Sequence, residues 1–270
     1  EGAISDFTRS LELDPKDAKC WFNRGTLRHE KGDLNGAITD CTRALELDPK
    51  NGEAWRIRGT AYYQKRDFKR ALSDFNHALA VDPTKVILLN NRANVQMVLG
   101  NLEEALRDCN RVIELDPKFL LAWFNRGYIL QVKKDMSGAI ESFTRAIAIN
   151  PQHASSWYLR GKCLQYKQEH DRAFEDYSRT IDLEPDLLDA WVSRGKIRGL
   201  NKDFEGAILD CTEAIKRNPK FFPAWLSRGI HKGVKGDLEG AIEDATRAIH
   251  LNPKASDAFL LRAETRFSRG

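Results

Sequence analysis

The sequence predicts an all-α fold in which similar pairs of helices stack into a solenoid. Three residue types recur every 34 positions along the 270-residue chain and stay in register without an insertion. All six tryptophans share one phase of this repeat, and all but one of the prolines share a second phase. The third phase is arginine in every repeat: Arg24, Arg58, Arg92, Arg126, Arg160, Arg194, Arg228 and Arg262. A period of this length is the signature of a repeat array.

The first half of each repeat has the pattern of a helix. Trp21, Gly25 and Arg28 fall at i, i+4 and i+7, which places them on one helical face. A glycine inside a helix costs about 1 kcal/mol relative to alanine, yet six repeats have one at this place: Gly25, Gly59, Gly127, Gly161, Gly195 and Gly229. We infer a close helix crossing, and we expect the glycine to meet the small residue of the second helix, such as Ala37.

The second half of each repeat has the pattern of an amphipathic helix. Ala37, Cys41, Ala44 and Leu45 share one face, and Pro49 ends the helix because proline cannot continue it. The turn before this helix carries Asp or Asn, the residues that best cap a helix, in six repeats: Asp33, Asp67, Asn101, Asp135, Asp203 and Asp237. A single helix pair would leave an apolar face exposed, so the repeats must stack on one another.

The bulk composition argues against several classes of partner. The formal charge of +4, from 43 basic and 39 acidic residues, is too balanced to indicate a nucleic-acid or membrane surface. No apolar run is long enough to span a bilayer, and no signal-peptide pattern opens the chain. We therefore expect no nucleic-acid partner and no membrane insertion. The five cysteines show no pairing pattern, which favours a reducing compartment and predicts a cytoplasmic location.

The sequence contains no pattern that is typical of catalysis. Its histidines are scattered through different phases of the repeat, with no His-x-x-x-His pair, no Cys-x-x-Cys pair and no glycine-rich phosphate loop. We therefore predict no enzymatic activity, no cofactor and no metal site. His231 occupies a phase that is otherwise apolar, which favours a buried, hydrogen-bonded histidine over a metal ligand.

The pattern Trp-x-x-x-Gly, followed by Ala, an aromatic residue, Ala and Pro at fixed offsets, resembles the tetratricopeptide repeat family over essentially the whole chain. This resemblance implies a right-handed superhelix of antiparallel helix pairs, with the first helices lining a concave groove and the second helices on the convex side. The expected organisation is a single solenoid over 1–270, with half repeats at 1–17 and 256–270 and seven full repeats at 18–51, 52–85, 86–119, 120–153, 154–187, 188–221 and 222–255.

An arginine precedes the glycine in this chain, whereas the family usually has an apolar residue there. An aspartate recurs in step with it on the second helix, at Asp6, Asp40, Asp74, Asp108, Asp176, Asp210 and Asp244, with Ser142 as the exception. We interpret the two series as a ladder of charge-assisted Arg–Asp pairs and not as independent surface charges. Pairing within a repeat and pairing with the next repeat both remain open. A bond between Arg126 and Asp108 would reject pairing within a repeat.

The face of the first helix opposite the tryptophan is the candidate binding surface, because the core does not dictate its residues. This face is poor in acids, rich in Asn and Tyr in its middle part, and apolar toward the C-terminal end. Asparagine can both donate to and accept from an extended peptide backbone. The candidate peptide-binding residues are Asn23, Arg56, Tyr63, Asn90, Asn91, Asn94, Phe124, Asn125, Tyr128, Tyr158, Lys162 and Lys196.

Two relatives within the family imply different versions of such binding. Asn23, Asn91 and Asn125 share a phase that resembles the asparagine ladder of O-linked N-acetylglucosamine transferases, although other repeats interrupt the series. Co-chaperone repeats use a Lys-x-x-x-Asn pair to clamp a carboxylate. This pair is not reproduced at the corresponding place, which reads Phe22 and Thr26 in one repeat and Asn90 and Asn94 in another. A groove that fills only lattice or self contacts is the alternative.

The predicted function is a non-catalytic protein–protein interaction scaffold that binds an extended peptide or partner segment in the concave groove. One alternative is the substrate-recognition arm of a larger multidomain enzyme, such as a glycosyltransferase. Another is a structural array that assembles head to tail, because apolar residues such as Phe7 and Phe267 mark the two half repeats. The chain begins at Glu1 and both ends fall inside a repeat, so we expect it to be part of a longer protein.

Overall fold

The computed structural model describes residues 2–270, which form sixteen α-helices and no strand. The first helices of the repeats begin every 34 residues, and each is followed by a second helix. The helices are α1 (Gly2–Leu13), α2 (Ala18–Glu30), α3 (Leu34–Leu47), α4 (Gly52–Gln64), α5 (Phe68–Val81), α6 (Val86–Leu99), α7 (Leu102–Leu115), α8 (Leu120–Val132), α9 (Met136–Ile149), α10 (Ala154–Tyr166), α11 (His170–Leu183), α12 (Leu188–Leu200), α13 (Phe204–Arg217), α14 (Phe222–Lys235), α15 (Leu238–Leu251) and α16 (Ser256–Arg269). The predicted all-α class is confirmed.

The chain forms two compact units, one that ends at Lys133 and one that spans Lys134–Gly270. In each unit every helix packs against the next helix along the chain. First helices also contact one another, α2 with α4, α4 with α6 and α6 with α8 in the first unit, and α12 with α14 and α14 with α16 in the second. This stacking confirms the solenoid and places these first helices side by side within their units. No helix within residues 2–270 combines the length and apolar character needed to cross a bilayer.

The turn between the two helices of a repeat has a recurring conformation. The residue before the helix cap is left-handed in seven repeats, at Gly32, Arg66, Gly100, Lys134, Gln168, Lys202 and Gly236. The following aspartate then accepts a hydrogen bond from a backbone N–H of the second helix, as predicted, in the five repeats that have one. The prediction is wrong for Asn101, whose side chain makes no capping bond; Glu103 and Glu104 instead place negative charge at the positive end of the α7 dipole.

The helical glycines lie at close crossings, but not chiefly against the alanine that the sequence suggested. A methyl group on Gly25 would lie 3.0 Å from Cys41 Sγ and 3.1 Å from Asp40 Cβ. On Gly161 it would lie 2.9 Å from the Tyr177 ring. The expectation of an alanine partner is therefore wrong for Gly25 and Gly161, where the crossing point falls one helical turn beyond the alanine. It holds for Gly195, where the nearest atom would be the Ala207 carbonyl oxygen at 3.2 Å. The Asp and the large core residue after it need the space that glycine leaves.

The arginine ladder exists, and in six repeats it pairs the arginine with the aspartate of its own repeat. The guanidinium donates through Nε and Nη2 to both carboxylate oxygens of the residue 16 positions later, at 2.7–3.0 Å. The pairs are Arg24–Asp40, Arg58–Asp74, Arg92–Asp108, Arg160–Asp176, Arg194–Asp210 and Arg228–Asp244. Arg126 donates to Asn110 and Asp108 is held by Arg92, so pairing within a repeat is confirmed.

Each ladder arginine also reaches the preceding repeat, which the sequence reasoning did not foresee. In the same six arginines Nη1 donates to a short polar side chain 16 positions earlier, at 2.9–3.2 Å: Thr8, Thr42, Asn76, Thr144, Ser178 and Thr212. The guanidinium carbon also lies 4.7–5.1 Å from the centre of the tryptophan ring three positions earlier in five repeats. One side chain thus links two consecutive repeats and an aromatic face.

The tryptophans fix the connection between repeats. All six donate from Nε1 to the carbonyl oxygen of the proline six positions earlier, at 2.9–3.0 Å. The ring packs on apolar neighbours while its one polar atom satisfies a carbonyl in the turn. The shared phase of tryptophan and proline therefore reflects a direct bond.

A histidine replaces an apolar residue in the core of the second unit. His231 is 7% exposed, with Nε2 3.5 Å from Ser227 Oγ. A methyl group on Gly199 would collide with the His231 ring, so this glycine provides the space for the imidazole. Burial lowers the pKa of His231, and the nearby charge of Lys196 lowers it further. Near neutral pH the core therefore holds a neutral imidazole.

We predict that Arg58→Met costs about 3–5 kcal/mol of unfolding free energy, because it leaves the buried Asp74 carboxylate without its partner. Chemical denaturation followed by circular dichroism measures the loss. The control is Arg43→Met, which breaks the exposed Arg43–Glu46 pair and should cost less than about 1 kcal/mol. Equal costs for the two variants would contradict a structural role for the ladder.

We predict that His231 makes the protein less stable in mild acid. Its folded-state pKa lies below the unfolded value of about 6.5, so the unfolded state binds the proton more tightly. The contribution of His231 to the free energy of unfolding is complete above the pKa of the unfolded state. It is lost as the pH falls toward the pKa of the folded state, at up to about 1.4 kcal/mol per pH unit. His231→Val should remove this part of the slope in unfolding experiments at several pH values.

The control for the pH experiment is His250→Gln, which removes an exposed imidazole. If the free energy of unfolding of His231→Val depends on pH as steeply as that of the unsubstituted protein, protonation of His231 does not contribute to the pH dependence of stability.

Candidate functional site

The candidate site lies on the first-helix face, defined as the side chains one, two and five positions after each tryptophan phase, together with Tyr63, which lies eight positions after Trp55. In the first full repeat these are Phe22, Asn23 and Thr26, all of which are half-buried. The arginine ladder and the glycine crossings occupy other phases of the same helices. The stacking of first helices within a unit therefore brings these positions together from neighbouring repeats.

An amide cluster forms on this face in the first unit. Asn125 on α8 donates from Nδ2 to Asn90 Oδ1 at 3.1 Å and to Asn94 Oδ1 at 2.8 Å, both on α6. Asn90 and Asn125 are buried, whereas Asn94 is half-buried. The two bonds orient all three amides, because the side-chain oxygens of Asn90 and Asn94 both accept from Asn125 Nδ2. The Asn94 amide is the member of the cluster that solvent reaches most readily.

A recess adjoins the amide cluster. It has a volume of about 260 Å³ and is lined by Thr60, Tyr63, Gln64, Phe75, Asn91 and Asn94. The Tyr63 ring packs edge-on against Phe68, with centroids 5.5 Å apart, so the aromatic wall is supported from behind. Amides on one wall and an aromatic ring on another suit a backbone segment with a small side chain.

Other predicted residues of the first unit have different surroundings. Arg56 donates to Glu53 at 2.7 Å, and Lys85 pairs with the same carboxylate. Burial raises the pKa of Glu53, but the hydrogen bonds from Lys85 and Arg56 outweigh it and hold the pKa below its usual value. The charge of Arg56 is therefore largely neutralised within the chain. Tyr128 is 41% exposed on α8 and shares the phase of Asn94.

In the second unit, the predicted residues form an aromatic and basic patch. The Tyr158 ring lies 5.9 Å from that of Tyr177, and burial raises the pKa of Tyr158 to about 12, with the charge of Asp189 acting in the same direction. Its hydroxyl is therefore neutral at physiological pH. Lys162 Nζ lies 5.7 Å from the centre of the Tyr158 ring, and both Lys162 and Lys196 are exposed.

A larger apolar cavity lies between α14 and α16 in the second unit. It has a volume of about 770 Å³, and its lining includes Lys196, Leu226, Ile230, Val234 and Leu260. The sequence indicated an apolar face here, to which Leu226 and Ile230 belong, and an apolar C-terminal half repeat that carries Leu260, but it did not single out Val234. Val234 occupies the phase that is Glu30 in the first full repeat, and that change from acid to apolar residue is the signal that could have identified it.

The cysteine thiols of the core are not activated as nucleophiles. All five cysteines are free and buried. Burial raises the pKa of Cys41 and Cys109 to about 12 and that of Cys163 and Cys211 to about 11, so these thiols are protonated and unreactive at neutral pH. Over residues 2–270 no group of His, Cys, Asp or Glu side chains is placed to hold a metal ion.

Comparison with protein families matches tetratricopeptide repeat profiles to five consecutive stretches of the chain, 18–51, 52–85, 86–119, 121–153 and 154–187. These stretches cover more than half of its length. Comparison with curated proteins gave no match.

Solved structures agree with the family match. The chain is 28% identical to YrrB, described as a tetratricopeptide repeat protein with an unusual peptide-binding site, over 68% of this chain and 95% of that chain, with a TM-score of 0.61. It is 26% identical to MamA over 60% of this chain and 95% of that chain, with a TM-score of 0.57. A tetratricopeptide repeat protein from Parabacteroides merdae, 19% identical, shares the fold over 92% of this chain and 98% of its own, with a TM-score of 0.67. The chain belongs to the tetratricopeptide repeat family.

Proposed function

We propose that this tetratricopeptide repeat scaffold binds an extended peptide segment of a partner protein on the first-helix face of its first unit. Tetratricopeptide repeats are protein-interaction scaffolds, typically without catalysis of their own, and that level of function follows from the family. The finer proposal concerns where and how the partner is held. It assigns the anchoring role to Asn90, Asn94 and Asn125, with Tyr63 and Asn91 in the recess beside them.

The amide cluster is the observation that supports this proposal most strongly. Burying the asparagines of this cluster costs free energy, because a buried amide loses its hydrogen bonds to water. The presence of these asparagines on the first-helix face is explained if the cluster has a binding role. Their mutual bonds hold Asn94 in one orientation before any ligand arrives. A preorganised amide loses little conformational entropy on binding, and it can donate to one peptide group and accept from another.

The neighbouring surface supplies contacts for ligand side chains. The recess lined by Tyr63, Phe75 and Asn91 can take a small side chain, and the exposed Tyr128 ring offers an aromatic surface on the adjacent helix. An extended peptide that bonds to Asn94 would direct alternate side chains toward the helices.

The comparison with YrrB supports a peptide as the class of ligand. YrrB is described as having a peptide-binding site, and the two chains are 28% identical over 68% of this chain.

The test is selection of a random dodecapeptide library, displayed on phage, against the purified chain. Enriched peptides are synthesised, and their affinities are measured by fluorescence anisotropy. We predict that Asn94→Ala combined with Tyr128→Ala weakens binding about tenfold or more, because it removes a backbone hydrogen bond and an aromatic contact.

The matched control is Asn35→Ala combined with Leu209→Ala, which truncates exposed side chains on second helices. The control should bind selected peptides like the unsubstituted chain. Selected peptides that bind the Asn94 and Tyr128 variant with unchanged affinity would rule out this face of the first unit as the binding surface.

A further inference from the structure

We propose a second binding site, on the second unit, for an acidic peptide segment that also carries a bulky apolar side chain. Lys162 and Lys196 would bind the carboxylates, and the cavity between α14 and α16 would take the apolar side chain. This inference rests on the proposed function in one respect, namely that the ligand is a peptide lying on first helices. It concerns a different unit, different residues and a different chemistry of recognition.

The two lysines are uncompensated charges. Within the described residues neither Lys162 nor Lys196 takes part in a salt bridge, whereas the ladder arginines beside them, Arg160 and Arg194, are both paired with aspartates. Both lysines are exposed and occupy the same phase on consecutive first helices, α10 and α12. The same phase holds Thr26, Thr60, Asn94 and Tyr128 in earlier repeats, so the positive charge is specific to these two repeats.

The helices that present the lysines are held together locally. Leu164 of α10 and Ile197 of α12 belong to one buried cluster with Tyr177 of α11, and the Tyr158 ring packs against this cluster. Lys162 lies over the Tyr158 ring. The two ammonium groups are therefore presented by packed helices with an aromatic surface beneath one of them.

The cavity begins where the basic patch ends. Lys196 lines its α12 side, and Ile230 and Val234 of α14 and Leu260 of α16 lie within it. These three apolar side chains are 43%, 62% and 57% exposed. Exposed apolar side chains around a concave surface are typical of a binding site.

Charge complementarity selects the occupant. Asp257 and Glu264 line the α16 side of the cavity, opposite Lys196, so the surface changes from basic to acidic across α14. Asp189 on α12 is exposed, and its charge acts on Tyr158. A peptide whose carboxylates lie over α10 and α12, and whose next residue is apolar, would pair with the lysines and fill the cavity. A further acid placed over α16 would be repelled.

The experiment is selection of the same dodecapeptide library, near pH 7.5, on two variants of the full chain. One is Lys162→Gln with Lys196→Gln, and the matched control is Lys220→Gln with Lys254→Gln, which removes two exposed lysines from turns. Peptides enriched on the control but lost on the first variant should contain Asp or Glu next to Leu, Ile, Met or Phe. Phage display leaves no free C-terminal carboxylate, so the acids must come from side chains.

The most enriched acidic peptide is then compared with its Asn and Gln counterpart by fluorescence anisotropy at low and high salt. We expect the acidic form to bind the control about tenfold more tightly, and the difference to vanish on the Lys162 and Lys196 variant and to shrink in high salt. Circular dichroism confirms that both variants keep their helix content.

Three outcomes would overturn the inference: no acidic and apolar enrichment, equal binding of the acidic and amide peptides, or displacement of the peptide by an oligothymidylate. The Asn94 and Tyr128 variant separates the two proposals, because it should bind the acidic peptide normally. Loss of the acidic site alone leaves the proposed peptide site of the first unit intact, and the reverse result leaves the acidic site intact.

Discussion

The structure depends on the guanidinium group that recurs at one place in every repeat. Each of six ladder arginines binds both oxygens of a buried aspartate in its own repeat and a short polar side chain in the preceding repeat. Burying a carboxylate is unfavourable unless its charge and lone pairs are satisfied, and the planar fork of arginine does both at once. Lysine could not replace it, because a single ammonium cannot reach two repeats and two carboxylate oxygens in a fixed plane. A solenoid is stable only when neighbouring repeats are coupled, and this side chain couples them.

This arrangement leaves one face of the first helices free to vary. Tryptophan, arginine and glycine are committed to the turn, the ladder and the helix crossing, so the intervening positions can differ from repeat to repeat without affecting the stack. In the first unit they are asparagines that orient one another, and in the second they include two exposed lysines beside apolar side chains. Both proposals therefore assign binding to the residues that break the periodicity, whereas the residues that keep it build the scaffold.

The sequence predicted the scaffold far better than the site. Its period predicted the helices and the Arg–Asp pairs, whereas the choice between pairing within a repeat and pairing with the next repeat came only from the structure. The hydrogen bonds from the ladder arginines to Thr42 and the equivalent polar side chains recur with the same period, so the sequence could have predicted them. The contacts of the helical glycines could not be predicted, because they depend on where the two helices of a repeat cross. The site was harder, because a single phase cannot show that Asn125 bonds to Asn90 and Asn94, or that Arg56 is neutralised by Glu53. Those contacts depend on the relative position of neighbouring helices, which the residue pattern of a single repeat does not determine.

The coupling between repeats is measured most directly by a double-mutant cycle on Arg58 and Thr42. Thr42 Oγ1 donates to the Ile38 carbonyl and accepts from Arg58 Nη1 at 3.0 Å, so it belongs to one repeat and the arginine to the next. The free energies of unfolding of Arg58→Met, Thr42→Val and the double variant give the interaction energy. The account predicts a coupling of about 0.5–3 kcal/mol between these two side chains. Strictly additive effects would contradict the claim that the arginine joins the repeats.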